Sequence, residues 1–283
     1  MKIIGLCSCF LGLNFPILLC QPVDIMVIET RTFEILDDGT QTGNWFISDQ
    51  KTFDDHNHLV LERYFDGRAK KLDSYTWFFY DQEGKMKSIE NYDAESEPRY
   101  LKQIFYTSSG DTSKIIEYAG GQQGVTRTAE KSFSYSPEGR LVQTKRLSPD
   151  KNLLESAKYH YKKGSKAPAR ITITHSTVTP YIEKVSIIYN DSTGLPRLAV
   201  KQVNQKAAGK RYTVLVFYNI KGNPIEEKYM AGNNLLKRKH YEYAADVQLE
   251  KYMEEDGNGR LIALFTINTY WHKANLTGKS YFE

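Results

Sequence analysis

The sequence predicts an all-β chain of consecutive antiparallel β-hairpins, each about 27 residues long, joined into an elongated twisted sheet or a partly rolled β shell. Three observations lead there. Tyr80, Tyr106, Tyr135, Tyr161, Tyr189, Tyr218 and Tyr243 follow one another at intervals of 25 to 29 residues, with Phe53 one period earlier. A turn residue follows each anchor: Asn57 after Phe53, then Gly84, Gly110, Gly139, Gly164, Gly194 and Gly222 after six of the tyrosines. No amphipathic stretch longer than two helical turns stands out.

The elements follow in order. Val27 to Leu36 reads as a strand, Asp37-Asp38-Gly39 as a turn, and Trp45-Phe46 as part of the return. Residues 21–52 therefore form an N-terminal β cap, 53–265 the hairpin repeats and 266–283 a C-terminal cap. Within each repeat, the residue two before the anchor favours strands (Phe78, Ile104, Phe133, Tyr159, Ile187, Val216, Tyr241) and shares the anchor's face. Tyr80-Asp81-Gln82-Glu83-Gly84 and Tyr135-Ser136-Pro137-Glu138-Gly139 close tight turns: Asp or Ser supplies an acceptor, and Gly takes the left-handed position. A second strand follows, as in Lys114 to Tyr118 and Ile225 to Tyr229, and then a longer return loop. Lys237 to Leu249 alternates as a strand, whereas Leu147 to Tyr161 admits a short helical turn. Val214, Val216 and Tyr218 on one face and Leu215 and Phe217 on the other require cover on both sides.

Residues 1–20, MKIIGLCSCFLGLNFPILLC, have the layout of a secretory signal peptide: Lys2, an uncharged apolar run, then polar sequence from Gln21. Cleavage between Cys20 and Gln21 is the expected processing; a lipoprotein with lipidated Cys20 is the alternative. Cys7, Cys9 and Cys20 all lie here, so a chain beginning at Gln21 has no cysteine for disulfides, thiolate metal sites or nucleophiles. The expected location is secreted or cell envelope, with membrane contact only through the signal peptide or Cys20.

Of 283 residues, 40% are hydrophobic, 25% charged and 13% aromatic, which excludes a disordered, collagen-like or polytopic helical membrane chain. The net charge of +4 is small and its signs are mixed. The densest basic run, Lys237-Arg238-Lys239-His240, reads as a solvated strand edge, and no nucleic-acid partner is expected. An outer-membrane barrel is disfavoured because strands such as Lys85 to Glu90 carry charge on both faces.

The Tyr-Asp-x-x-Gly-basic-apolar unit resembles the YD repeat of Rhs-like proteins. It is carried by Tyr80-Asp81-Gln82-Glu83-Gly84-Lys85-Met86 and Tyr135-Ser136-Pro137-Glu138-Gly139-Arg140-Leu141, with Asp256-Gly257-Asn258-Gly259-Arg260-Leu261 as a copy lacking the tyrosine. The resemblance implies a bacterial β-hairpin scaffold exported to the envelope or beyond; in large members the repeats form a shell around a toxin domain.

Catalytic, cofactor and metal residues are not assigned. Asp54, Asp55, His56 and His58 have metal-ligand character but fall in a predicted turn. The remaining histidines, His160, His175, His240 and His272, form no motif. Asp37-Asp38 and Asp256 to Gly259 read as turn chemistry rather than calcium loops. Glu254 and Glu255 are adjacent and so face opposite sides of a strand. The regular tyrosines read as a structural ladder, leaving Trp45, Trp77 and Trp271 as better markers of a specific site. The expected function is an exported, non-enzymatic β-repeat scaffold binding a protein or glycan at the cell surface. The alternative is a secreted carbohydrate-binding or carbohydrate-active protein using one aromatic sheet face. An exposed sheet edge favours the first; a recess with a ring wall favours the second.

Overall fold

The computed structural model describes residues 23–274, apart from 68–69, 122–123, 206–208 and 246–247. The expected cleavage site at Cys20 and Gln21 lies outside the described residues. The first nine strands are β1 (Val23–Ile35), β2 (Gln41–Phe53), β3 (Leu59–Asp66), β4 (Lys71–Tyr80), β5 (Met86–Asp93), β6 (Pro98–Tyr106), β7 (Thr112–Gly121), β8 (Gly124–Tyr135) and β9 (Leu141–Leu147). The second nine are β10 (Leu153–Tyr161), β11 (Pro168–His175), β12 (Tyr181–Tyr189), β13 (Pro196–Gln205), β14 (Lys210–Tyr218), β15 (Pro224–Ala231), β16 (Asn234–Ala244), β17 (Gln248–Asp256) and β18 (Leu261–Ala274). Each pairs antiparallel with its chain neighbours, and β1 also pairs with β18 from Val23↔Ala274 to Phe33↔Leu264.

The hairpins therefore close into an 18-strand barrel, which corrects the expected open sheet or partly rolled shell. The reason is chemical: β1 is long and bonds on both of its edges, and closure satisfies the backbone groups that two free edges would leave unpaired. The described parts of the segments read as end caps, 23–52 and 266–274, contribute β1, β2 and the end of β18 to this wall.

One repeat equals two strands. The anchors end the even strands β2 to β14, and Tyr243 stands one residue before the end of β16, so all lie at one rim. The turn after Tyr80 shows the local rule. Asp81 N–H donates to the Lys85 carbonyl, Gly84 N–H donates to the Asp81 carbonyl, and the Asp81 carboxylate accepts from the Glu83 and Lys85 N–H groups. Gly84 sits at φ 77°, and the register slips beside Tyr80, the signature of a three-residue loop with a bulge. The other rim uses the same device, at Asp93 with Ser96 at φ 69° and at Asp256 with Gly259 at φ 81°. The return connections are thus as tight as the first turns, and Leu147 to Tyr161 is the end of β9, a turn and β10. The Asp256 unit keeps the turn chemistry but lies at the rim opposite the tyrosines.

Directly opposed residues share a face, so the registers trace two faces around the wall. The anchors and their i−2 partners all fall on one, here the tyrosine face. Tyr80 Oη donates to the Leu59 carbonyl at 2.9 Å, Tyr106 to Met86 at 2.7 Å, Tyr135 to Thr112 at 2.8 Å and Tyr161 to Leu141 at 2.8 Å. Tyr189 and Tyr243 reach the Pro168 and Pro224 carbonyls at 2.9 and 2.8 Å. Each hydroxyl fastens the end of an even strand to the first residue of the odd strand before it.

Cover changes face around the wall. On β10 to β14 the buried residues Ala157, Glu183, Ala199, Val203 and Val214 belong to the tyrosine face. On β3 to β6, Leu61, Ser88, Glu90 and Leu101 of the opposite face are buried, and the tyrosine face is divided: Ser74, Thr76 and Asn91 are buried, while Tyr64, Lys87 and Tyr100 are exposed. Neither face carries a continuous apolar band: Arg63, Lys158, Lys184 and Arg238 stand on one, and Glu117, Lys131, Glu183 and Lys239 on the other. Among the described residues no helix is long and apolar enough to cross a membrane.

Candidate functional site

The opposite face of β18 and β1 to β5 joins hydrogen-bonding and aromatic side chains in two rows. One row runs Asn268, Glu29, Gln50, Arg63, Tyr75, Tyr92; its neighbour runs Tyr270, Val27, Thr52, Leu61, Trp77, Glu90, Leu101. Glu29, 6% exposed, accepts from Arg31 Nε at 3.0 Å and Gln50 Nε2 at 3.2 Å. Glu90 is fully buried and accepts from Ser88 Oγ at 2.9 Å and Tyr92 Oη at 2.7 Å. These bonds satisfy the carboxylates and leave them structural.

Towards the rim opposite the anchors, the first row ends in a recess. Trp45, on β2 across from Phe33, is 45% exposed, and the Arg31 guanidinium lies 4.2 Å from its ring centre. Trp45, Phe46, Ile47, Phe65 and Lys70 line a cavity of about 430 Å³, which adjoins a wider one of about 840 Å³ bounded by Glu34, Gly43, Asn44 and Gly67. Gly67 is needed there, because a Cβ would fall 2.0 Å from the Phe46 ring. Glu34 accepts from Asn44 Nδ2 at 3.0 Å and Thr42 Oγ1 at 2.9 Å. Those bonds, the one from Asn44 foremost, hold its carboxyl below the usual carboxylate range. The smaller cavity therefore offers the Trp45 indole, braced by Arg31, beside Phe65 and Lys70, whereas Glu34 and Asn44, which alternate with Phe33 and Trp45 along their strands, pair on the other face of the ribbon.

The three tryptophans do not meet. Trp77 packs within the wall beside Phe79, 6.2 Å away, and Trp271 is 64% exposed at the far end of β18 on the tyrosine face. Asp54, Asp55 and His56 bring potential ligand atoms within 4.8 Å of one another, but the turn uses them. Asp54 accepts from the His56 and His58 N–H groups, His58 Nδ1 lies 3.2 Å from Asp54 and stacks on Tyr80, and His56 contacts Asp55 at 2.7 Å. Glu254 and Glu255 diverge as expected: Glu254 meets Lys237 and Lys239 on the tyrosine face, and Glu255 meets Arg238 and His240 on the other. The basic run 237–240 thus lies inside the wall, between β15 and β17, and is neutralised by Glu226, Glu254 and Glu255; it is not a strand edge.

Sequence reasoning missed a second polar cluster on the tyrosine face. His175 stacks on Tyr181 at 4.0 Å, its two ring nitrogens lie 3.5 Å from Glu155 and 3.6 Å from Glu183, and Lys201 closes on Glu183 at 2.7 Å. These residues come from β10 to β13, and only the register brings them together.

No protein-family model matches the chain, and no match is found among curated proteins. Solved structures give distant likenesses. The Tc holotoxin pore of Photorhabdus luminescens shares 12% identity over 83% of this chain, with a TM-score of 0.37; the match spans 16% of the toxin chain. A porin-like protein of Bacteroides uniformis ATCC 8492 shares 10% identity, covering 89% of this chain and 96% of its own, at a TM-score of 0.39. A second, from Bacteroides vulgatus ATCC 8482, shares 9% over 71% and 94%, at 0.32.

Proposed function

We propose that the protein is an exported, non-enzymatic binding barrel whose ligand is a glycan held in the Trp45 recess. The observation that carries this reading is the half-exposed indole of Trp45, braced by Arg31 in a cavity that Phe65 and Lys70 also line. Sugar rings present an apolar face to an aromatic ring and hydroxyls to polar groups beside it. The closed wall weighs against a scaffold that recruits partners by strand addition, since every described strand already has a neighbour on both edges. The signal-like residues 1–20 support export to the envelope or medium, and the anchored hairpins support descent from a YD-repeat series.

The test is calorimetric titration of the chain from Gln21 onward with a panel of oligosaccharides, alongside Trp45→Ala. A glycan that binds the parent chain is expected to lose about 30-fold or more in affinity in the variant, the scale of a central aromatic anchor. Equal affinity of the two proteins for every binding glycan would remove the recess from the account.

A further inference from the structure

The strands β9 to β14 contain two carboxylates, Glu155 and Glu183, and both point to the tyrosine face. The opposite face of the same six strands carries Lys145, Lys158, Arg170, Lys184 and Arg211, all exposed. None of the five makes an ion pair or side-chain hydrogen bond with a described residue. Their neighbours on this face are mostly hydroxyls and amides, with Ile182, Val200 and Leu215 among them. One row reads Gln143, Lys158, Thr172, Lys184, Gln202, Thr213, and the next reads Lys145, Ser156, Thr174, Ile182, Asn204, Arg211. A third places His160, Arg170 and Ser186 side by side. A depression of about 510 Å³ opens between Lys184, Gln202, Asn204, Arg211 and Thr213.

We propose that this face binds an acidic polysaccharide, its carboxylate or sulfate groups on the five cations and its hydroxyls on the intervening Thr, Ser, Gln and Asn side chains. Unpaired cations with no acid among them create a positive field that a polyanion neutralises with release of its counterions. Lys158 and Lys184 stand two strands apart, about 10 Å, so the charges form a spaced grid rather than a single clamp. A nucleic-acid partner fits less well. Single strands are held by aromatic platforms, and this face of β9 to β14 offers two separated rings, His160 and, at its margin under Lys228, Phe217. The surface is separate from the Trp45 recess on β2, so either can fail without the other.

The experiment measures binding of the chain from Gln21 onward to polygalacturonate, heparin, neutral dextran and oligo-dT over a range of sodium chloride. Polygalacturonate and heparin are expected to bind with an affinity that falls as salt rises, and dextran is expected not to bind to this face. The double variant Lys158→Gln, Lys184→Gln should lose about tenfold in affinity for both acidic glycans at low salt. Lys163→Gln, in an exposed turn, should leave that affinity unchanged. All of these are surface positions, so folding is retained. Absence of binding to either acidic glycan at low salt, or binding indifferent to the double variant, would overturn the proposal. So would oligo-dT bound more tightly than both glycans and weakened by the same double variant, which would make the face a nucleic-acid surface.

Discussion

Replacing Tyr106, Tyr135 and Tyr161 together by Phe is expected to lower stability by about 3 kcal/mol, near 1 kcal/mol for each lost hydroxyl-to-carbonyl bond. The three bonds lie on successive hairpins, and each joins a different pair of strands, so their effects should be close to additive. Each ring stays in place, and only the bond that ties the end of an even strand to the start of the odd strand before it is removed. Tyr100→Phe is the control: its ring is 41% exposed, and the change should remain within about 0.5 kcal/mol. Urea unfolding of the chain from Gln21 onward gives both values. An alkaline titration reads Tyr106 and Tyr135 independently. Burial raises the hydroxyls of Tyr80, Tyr106, Tyr135, Tyr189, Tyr218 and Tyr243 above the ordinary tyrosine value of 10.0. The folded state therefore holds these protons more tightly than the unfolded chain does. The resulting stabilisation is complete below pH 10 and is lost as pH rises through the raised folded values. The triple variant should show a shallower alkaline loss than the parent chain.

Leu101→Ala is expected to destabilise the barrel by about 2–5 kcal/mol, the range for a large-to-small change at a site that cannot collapse. Leu101 has no exposed surface and stands between Glu90 and Tyr118 on the opposite face. Its removal would leave a gap beside a fully buried carboxylate. Ile182→Ala, at a position 44% exposed, should change stability by no more than about 0.5 kcal/mol. If both variants unfold together, the burial described for the β5–β6 wall is wrong.

The parts of this architecture that the sequence discloses are local ones. The tyrosine period is visible because six hairpins use the same ring to bond a carbonyl about 20 residues earlier, so the same residue recurs. The turns are visible because Asp81 and Gly84 satisfy a local geometry. Closure is not visible, because Val27 meets Tyr270 through backbone bonds that any side chain permits. The Asp256 turn imitates the Asp81 turn although it lies at the other rim, since both rims demand the same loop. Trp45 stood out as an off-period aromatic, but its partner Arg31 comes from another strand. The basic face was hidden for a related reason. Lys184 adjoins Glu183 and Lys158 follows Glu155 by three residues, and only strand alternation sends the two acids to the other side.

The central claim is that β1 and β18 close the wall. The chain from Gln21 onward has no cysteine, so a pair placed at Ile28 and Thr269, directly opposed across that seam, can be oxidised without competition. Opposed residues on paired strands lie within disulfide reach. Mass spectrometry of the monomer after mild oxidation should show this cross-link as completely as a control pair at Ile28 and Lys51, which spans the β1–β2 hairpin. A control that cross-links while Ile28 and Thr269 remain free thiols would show an open sheet and contradict the barrel.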